Sequence, residues 1–165
     1  ISTLRQFTIS SLLGAKMNNG NHVTCNEVIR SLDEAGAKML YIINRPRYNV
    51  LMNSSRISID SVPIIRDPKL IENIFIYYSL SNYNQLLSAL SLNYTLFMDL
   101  GSIRNFYAHR NENTFKKVKN RFQEQGISSI IHPDDIVISS VPAYPLTFLE
   151  KWFIESENFF DLLFN

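Results

Sequence analysis

The stretch DPKLIENIFIYYSLSNYNQLLSALSL, residues 67–92, decides the fold class of this chain. It opens with Asp67 and Pro68, a pair typical of a helix N-cap followed by the first helical position. Apolar side chains then recur at helical spacing, without an internal Gly or Pro to interrupt them. The stretch therefore predicts a long helical segment that starts at Pro68.

The sequence before this segment reads as two further helices and an irregular part. Residues 3–17 carry apolar side chains at mostly helical spacing. Thr24 and Glu27 are spaced as a capping box, which predicts a second helix that Pro46 ends. Residues 47–66 are irregular, and the alternation in SRISIDSV favours a short strand there.

The sequence after it also predicts mainly helices. One covers residues 93–110, and it is either separate from or continuous with the preceding segment. The next is capped by Asn113 or Thr114 and stopped by Gly126. Its buried stripe is Phe115, Val118 and Phe122.

A second irregular stretch then precedes a last helix that starts at Pro145. Its sequence IVISSVP echoes the earlier ISIDSVP, which leaves open a short β-ribbon between the two. We expect an all-α, up-and-down bundle of five or six helices with two irregular loop insertions, forming a single domain over residues 1–165.

The composition is that of a globular protein without a strong overall charge. Hydrophobic residues make up 45% and charged residues 19%, and the net charge is +1, so a nucleic-acid partner must meet a local patch. The single cysteine excludes an intrachain disulfide and a Cys-rich metal site. No apolar run reaches the ~18 residues of a membrane span, and the first residues are too polar for a secretory signal. We therefore expect a cytoplasmic chain that does not associate with a membrane.

The segment GSIRNFYAHRNENTFKKVKNR, residues 101–121, concentrates the polar chemistry of the chain. On an ideal helix Asn105 and His109 share one face, whereas Arg104 and His109 are roughly 140° apart. Either the helix loosens near His109, or a second copy of the chain supplies the missing group.

The motif R-N-F-Y-A-H, with Arg104, Asn105 and His109, resembles the hallmark of the HEPN superfamily. These are small helical-bundle proteins found among bacterial toxins, phage-defence ribonucleases and CRISPR-associated RNases. The resemblance implies a homodimer in which the two motifs meet in one cleft, and an antitoxin or a defence-system protein as a further partner. The small residues Gly101 and Ala108 would let another backbone come close. Some HEPN toxins carry a modifiable Tyr two residues after the His, where this chain has Asn111, so we expect no control by that route.

The chemistry of these three residue types fits RNA cleavage by attack of a 2′-OH on the adjacent phosphorus. An imidazole that titrates near neutral pH suits proton transfer, which assigns that role to His109. A guanidinium matches phosphate oxygens, which assigns charge stabilisation to Arg104. Asn105 would orient the His or the phosphate. The mechanism needs no metal and no cofactor, and the sequence predicts neither.

A cationic run follows the motif. Residues 104–121 hold six cations against the single acid Glu112. We expect RNA-backbone contacts from the five cations outside the reacting centre, namely Arg110, Lys116, Lys117, Lys119 and Arg121. The alternative interpretation of this run is a solvated helix face.

The remaining candidates are weaker, and a second function class stays open. His22 reads as a solvated loop residue and Cys25 as a packing residue. His132, although it precedes Asp134 and Asp135, does not have the spacing of a metal site. The alternative to the ribonuclease is a non-catalytic HEPN-like helical dimer that binds RNA or a partner protein.

Overall fold

The computed structural model describes residues 2–54, 56–63, 65, 67–92 and 94–165. Within these residues the chain is helical and holds no strand, so the predicted all-α class is confirmed. The elements are α1 Ser2–Leu12, α2 Leu32–Ile43, α3 Arg45–Asn53, a 3-10 turn Ile59–Ser61, α4 Pro68–Tyr77, α5 Tyr83–Ser91, α6 Leu96–His109, α7 Glu112–Gln123, α8 Pro133–Ile138 and α9 Phe148–Phe164.

The helices group into two compact units. Unit 1 comprises the described residues up to Ser91 together with Asp161–Asn165, and unit 2 comprises those of Leu92–Phe160. Helix α9 contributes its first part to unit 2 and its last turn to unit 1. The prediction of a single domain stays a prediction, because separate packing does not decide whether either unit folds alone.

Unit 1 is built around α1, α2 and α4, with α5 against α4 and α3 against α2. Its largest fully buried side chains are Leu12, Met39, Leu40, Ile71, Ile74, Phe75, Tyr78, Leu86 and Leu163. Helix α2 also lies against the 3-10 turn, where a Cβ on Gly36 would come within 2.9 Å of the Ile59 Cα. A glycine at this position therefore permits the close approach of the turn to the helix.

Unit 2 has its own apolar core, to which α6, α7, α8 and α9 all contribute. Its buried members are Leu96, Ile103, Val118, Phe122, Ile130, Ile136, Val141, Phe148 and Trp152. The predicted stripe of α7 is confirmed, since Val118 and Phe122 are fully buried and Phe115 packs against them. The inner faces of α6 and α7 are thereby fixed, and their outer faces are left to solvent.

Several local signals act as the sequence predicts. The Asp67 side chain accepts a hydrogen bond from the Lys69 backbone N–H at 2.9 Å, with Pro68 at the first helical position. After α7, Gly126 adopts φ +91°, which only glycine takes without strain. The cap of α7, however, is Asn111 rather than the predicted Asn113 or Thr114.

Other helix boundaries differ from the predicted ones, because side-chain capping bonds, and not the spacing of apolar residues, set where these helices begin. Ser31, not Thr24, caps α2, since its hydroxyl accepts from the Glu34 N–H while the Glu34 carboxylate accepts from the Arg30 N–H. Pro46 lies in the first turn of α3, where its missing N–H costs nothing.

The longest predicted segments are also divided. The segment 67–92 breaks after Tyr77, and Ser79 turns the chain with φ +50°. The predicted start of the next helix at Asn93 lies outside the described residues, and α6 begins at Leu96. The last helix begins at Phe148 rather than Pro145, behind a reciprocal bond pair between Thr147 and Glu150. These breaks, with α3 and α8, raise the number of α-helices in the described residues from the expected five or six to nine.

The short ribbon left open by the sequence does not form between the described residues of the two irregular stretches. Ile59–Ser61 is a 3-10 turn because the Asp33 carboxylate accepts from the Ile59 N–H at 2.9 Å. The other stretch provides the end of α8, and Ser140 then bridges to Thr147, its neighbour across a loop. In the described residues, each stretch therefore bonds to other partners and not to the other stretch.

None of the helices in the described part of the chain is by itself long and apolar enough to cross a membrane, and α5 and α6 reach that length and composition only when counted together as a broken pair.

Candidate functional site

Helix α6 carries the motif, and its buried face determines which motif side chains reach solvent. Leu96, Asp99 and Ile103 point inward at helical spacing. Arg104 and His109 fall on the remaining circumference and are exposed. The solvent position of the motif therefore follows from the apolar pattern of the helix that bears it.

The three motif side chains are unengaged. Arg104, Asn105 and His109 are all exposed, and no side-chain hydrogen bond or ion pair joins any of them to another described residue. Around them the surface is open, since a Cβ on Gly101 would meet nothing within 4 Å and Ala108 is exposed. The groups are thus free to bind a ligand or a second chain.

The helix does not loosen before His109. It stays α-helical through that residue, and the chain turns only at Arg110, whose φ of +43° is left-handed. The Arg110 N–H still bonds the Phe106 carbonyl at 2.6 Å. Arg104 and His109 therefore keep the roughly 140° separation of an ideal helix and lie on different faces of α6.

The cations after the motif divide into free and engaged ones. Arg110 and Lys117 are exposed and form no ion pair with a described residue. Lys119 is half-buried. The exposed Lys116 pairs with Glu112 at 2.7 Å, one turn away on α7. The fifth cation, Arg121, is half-buried and forms an ion pair through its Nε.

Arg121 belongs to a polar cluster centred on Asp99, a buried carboxylate on the inner face of α6. Asp99 Oδ1 accepts from Arg121 Nε at 2.8 Å and from Gln125 Nε2 at 2.9 Å. Asp99 Oδ2 accepts from Thr95 Oγ1 at 2.9 Å and from Trp152 Nε1 at 3.2 Å. The cluster ties α6 to α7 and α9, and it engages Arg121 through its Nε.

Sequence reasoning missed Asp99, although a signal was present. It is an acid in the apolar run LFMDLG, on the face of α6 that also carries Ile103. A carboxylate in such a position needs donors from elsewhere in the fold, because an unpaired buried charge is costly. Those donors come from sequence-distant helices, so the sequence pattern indicated only that partners were needed.

His132 lies closer to the motif helix than its sequence position suggests. Its ring lies edge-on to Phe106, with centroids 5.9 Å apart, and 6.3 Å from that of Tyr107. The Tyr107 hydroxyl donates to Asp134, whose other carboxylate oxygen is 3.1 Å from His132 Nδ1. His132 also caps α8, because its Nδ1 accepts from the Asp134 N–H at 3.3 Å. The sequence signal was His-Pro-Asp-Asp, a cap followed by Pro and acids in the first turn.

The candidate metal groups do not converge. No three His, Cys, Asp or Glu side chains in the described part of the chain are arranged to hold a metal ion. His22 is an exposed residue whose Nδ1 lies 2.9 Å from the Gly14 carbonyl, and Cys25 is free and half-buried. A pocket of about 390 Å³ in unit 2 is lined by Tyr94, Tyr144 and Lys151 among others, and no motif residue lines it.

No protein-family model, curated protein sequence or solved structure matches this chain. The resemblance to HEPN proteins therefore rests on Arg104, Asn105 and His109 and on the helical fold that carries them.

Proposed function

We propose that this chain is a metal-independent endoribonuclease of HEPN type that acts as a toxin or as a phage-defence effector in the cytoplasm. The observation that carries the proposal is the set of three exposed, unengaged side chains Arg104, Asn105 and His109 on the last turns of α6. They combine a proton-transfer group, a phosphate ligand and an orienting amide within six residues.

In the proposed reaction the RNA 2′-OH attacks the adjacent phosphorus, and the 5′ oxygen of the next nucleotide leaves. His109 takes part in the proton transfers, as base toward the 2′-OH or as acid toward the leaving oxygen. Arg104 stabilises the charge that builds on the phosphoryl oxygens. Asn105 orients the phosphate or the imidazole. The products are a 2′,3′-cyclic phosphate and a 5′-OH.

The proposed site is composite and needs two copies of the chain. The regular helix holds Arg104 and His109 on different faces, which favours a site made of Arg104 from one copy and His109 from the other. The open surface at Gly101 and the exposed Ala108 support close approach of a second α6. A two-fold homodimer would then contain two equivalent sets of groups.

The proposed RNA path follows the free cations beyond the motif. Arg110 and Lys117 are the exposed, unpaired members, and Lys116 and Lys119 lie on the same helix as Lys117. We leave Arg121 out of this path, because its Nε is bonded to Asp99. An antitoxin or defence-system protein would be the partner that controls access to the site.

The proposal is tested by incubating RNA with the purified chain in excess EDTA and mapping the ends of the fragments. We expect cleavage with cyclic-phosphate and 5′-OH ends. His109→Ala should lower the rate by roughly a hundredfold or more while RNA affinity stays the same, because it removes the proton carrier and little charge. The matched control is His22→Ala, an exposed histidine in unit 1, which should cleave at the parental rate.

Two results would contradict the proposal. Strict Mg²⁺ dependence with 5′-phosphate ends would replace the mechanism with a metal-assisted one. Parental cleavage by His109→Ala would remove the chemistry from the motif, and the chain would then be the non-catalytic module that binds RNA or a partner protein.

A further inference from the structure

Unit 1 contains a cluster of partly exposed tyrosines drawn from three helices. Tyr41 on α2 lies edge-on to Tyr48 on α3, with ring centroids 5.2 Å apart, and 5.8 Å from Tyr77 at the end of α4. Tyr77 contacts the fully buried Tyr78 at 4.9 Å, which anchors the cluster to the core. Tyr77 as a whole residue is nevertheless 49% exposed.

One arginine lies in the same place. The Arg45 guanidinium stacks on the Tyr41 ring at 4.5 Å. Arg45 is exposed and forms no ion pair with a described residue. Contact with the Tyr41 hydroxyl, and more weakly the charge of Glu27, raises the pKa of Tyr77, whereas the charge of Arg45 lowers it. Arg45 therefore acts on both rings.

The charge of Arg45 is not compensated by an ion pair. Glu27, the acid whose charge reaches Tyr77, is itself paired with Lys38, and the segment 41–56, which supplies Tyr41, Arg45 and Tyr48, contains no acid. Helix α3 has no buried residue, so its side chains do not fill the core. The cation and the aromatic ring that α3 contributes are therefore accessible to an external ligand.

We propose that this arginine–tyrosine surface, made of Tyr41, Arg45, Tyr48 and Tyr77, binds single-stranded RNA. Accessible aromatic rings supply a platform on which unpaired bases stack, and an arginine without an ion pair attracts the backbone and stacks on bases itself. The surface lies in unit 1, whereas the motif lies in unit 2. It deepens the RNA-binding part of the proposed function but does not depend on cleavage.

The test is the binding of a fluorescent, 2′-O-methylated RNA of about 12 nucleotides, sized for the ~4–16 nucleotides that single-strand sites contact. This oligonucleotide lacks the free 2′-OH and cannot be cut, so the result is separate from the ribonuclease proposal. Anisotropy is measured at several salt concentrations. Far-ultraviolet circular dichroism confirms that each variant is folded.

The charge arm compares Arg45→Gln with Arg30→Gln. Arg30 is also exposed but lies beyond the opposite end of α2, which at ~1.5 Å per residue is about 18 Å long. Arg45→Gln should make the salt dependence shallower by about 0.7 in slope, as expected for one lost contact to a single strand. Arg30→Gln should leave the slope unchanged.

The stacking arm compares Tyr77→Leu with Tyr144→Leu, an exposed tyrosine in unit 2. Tyr77→Leu should weaken binding at least about fivefold, since it keeps an apolar side chain but removes the ring. Parental affinity in both Arg45→Gln and Tyr77→Leu would overturn the proposal. An effect of Arg45→Gln alone would also overturn it, because charge without stacking is not this surface. Unchanged RNA binding with lost binding to phosphatidylserine vesicles would assign the surface to a membrane instead.

Discussion

Replacing Asp99 by Asn should destabilise unit 2 by about 3 kcal/mol, although the two side chains have the same shape. The carboxylate accepts four hydrogen bonds, two at each oxygen. An amide offers one oxygen, so two donors lose their acceptor. If the oxygen faces Arg121 and Gln125, the amide nitrogen faces Thr95 and Trp152. The Thr95 hydroxyl can rotate to accept, whereas the buried indole N–H is left without a partner.

The magnitude combines two losses. An orphaned buried donor costs about 1–3 kcal/mol. Arg121 loses its charged partner as well, and removing one member of a buried ion pair costs about 3–5 kcal/mol when both are buried. The Arg121 side chain is 21% exposed and the Asp99 side chain fully buried, so water relieves part of that cost. Arg121 also keeps a hydrogen bond to the amide oxygen, so its loss is about 1–2 kcal/mol, which with about 1–2 kcal/mol for the indole donor gives about 3 kcal/mol.

The measurement is urea unfolding followed by the fluorescence of Trp152, the single tryptophan of the chain and a member of the cluster. Glu112→Gln is the matched control, because that exposed acid pairs only with Lys116, and its unfolding should be indistinguishable from the parent. A decrease in the free energy of unfolding below about 1 kcal/mol for Asp99→Asn would refute this reasoning. It would show that the hydrogen bonds of Asp99 do not stabilise the packing of α6.

Two further predictions concern the motif and the cations beside it. Mixing Arg104→Ala chains with His109→Ala chains should restore part of the cleavage that each lacks, because one site of the mixed dimer keeps both groups. An active monomer in light scattering would rule this out. Lys117→Ala should make the salt dependence of single-stranded RNA binding shallower by about 0.7 in slope. Lys116→Ala should change it less, since Glu112 already compensates that cation, and equal effects would show that the pair opens on binding.

Local sequence signals determined the helical class and several of the helix starts and ends. Asp67 with Pro68 set the start of α4, and Gly126 set the turn after α7, because capping and left-handed turns depend on residues a few positions apart. The inward stripe of Val118 and Phe122 was visible for the same reason, since helical periodicity repeats every turn. The exposure of Arg104 and His109 follows from that periodicity on α6.

These local signals could not predict contacts between residues that are far apart in the sequence. The sequence grouped Arg121 with the free cations, and only the tertiary structure revealed its partner Asp99, 22 residues away. His132 read as an isolated residue until folding brought it beside Tyr107.

The tyrosine cluster combines a feature that the sequence determines with a contact that only the tertiary structure creates. The sequence by itself determined that Arg45 and Arg47 begin a short segment free of acids, because charge is a property of composition. Only the tertiary structure brought Tyr77, some thirty residues later, against Tyr41. A helix positions side chains three and four residues apart, whereas contacts between helices depend on how the buried faces of the whole unit pack.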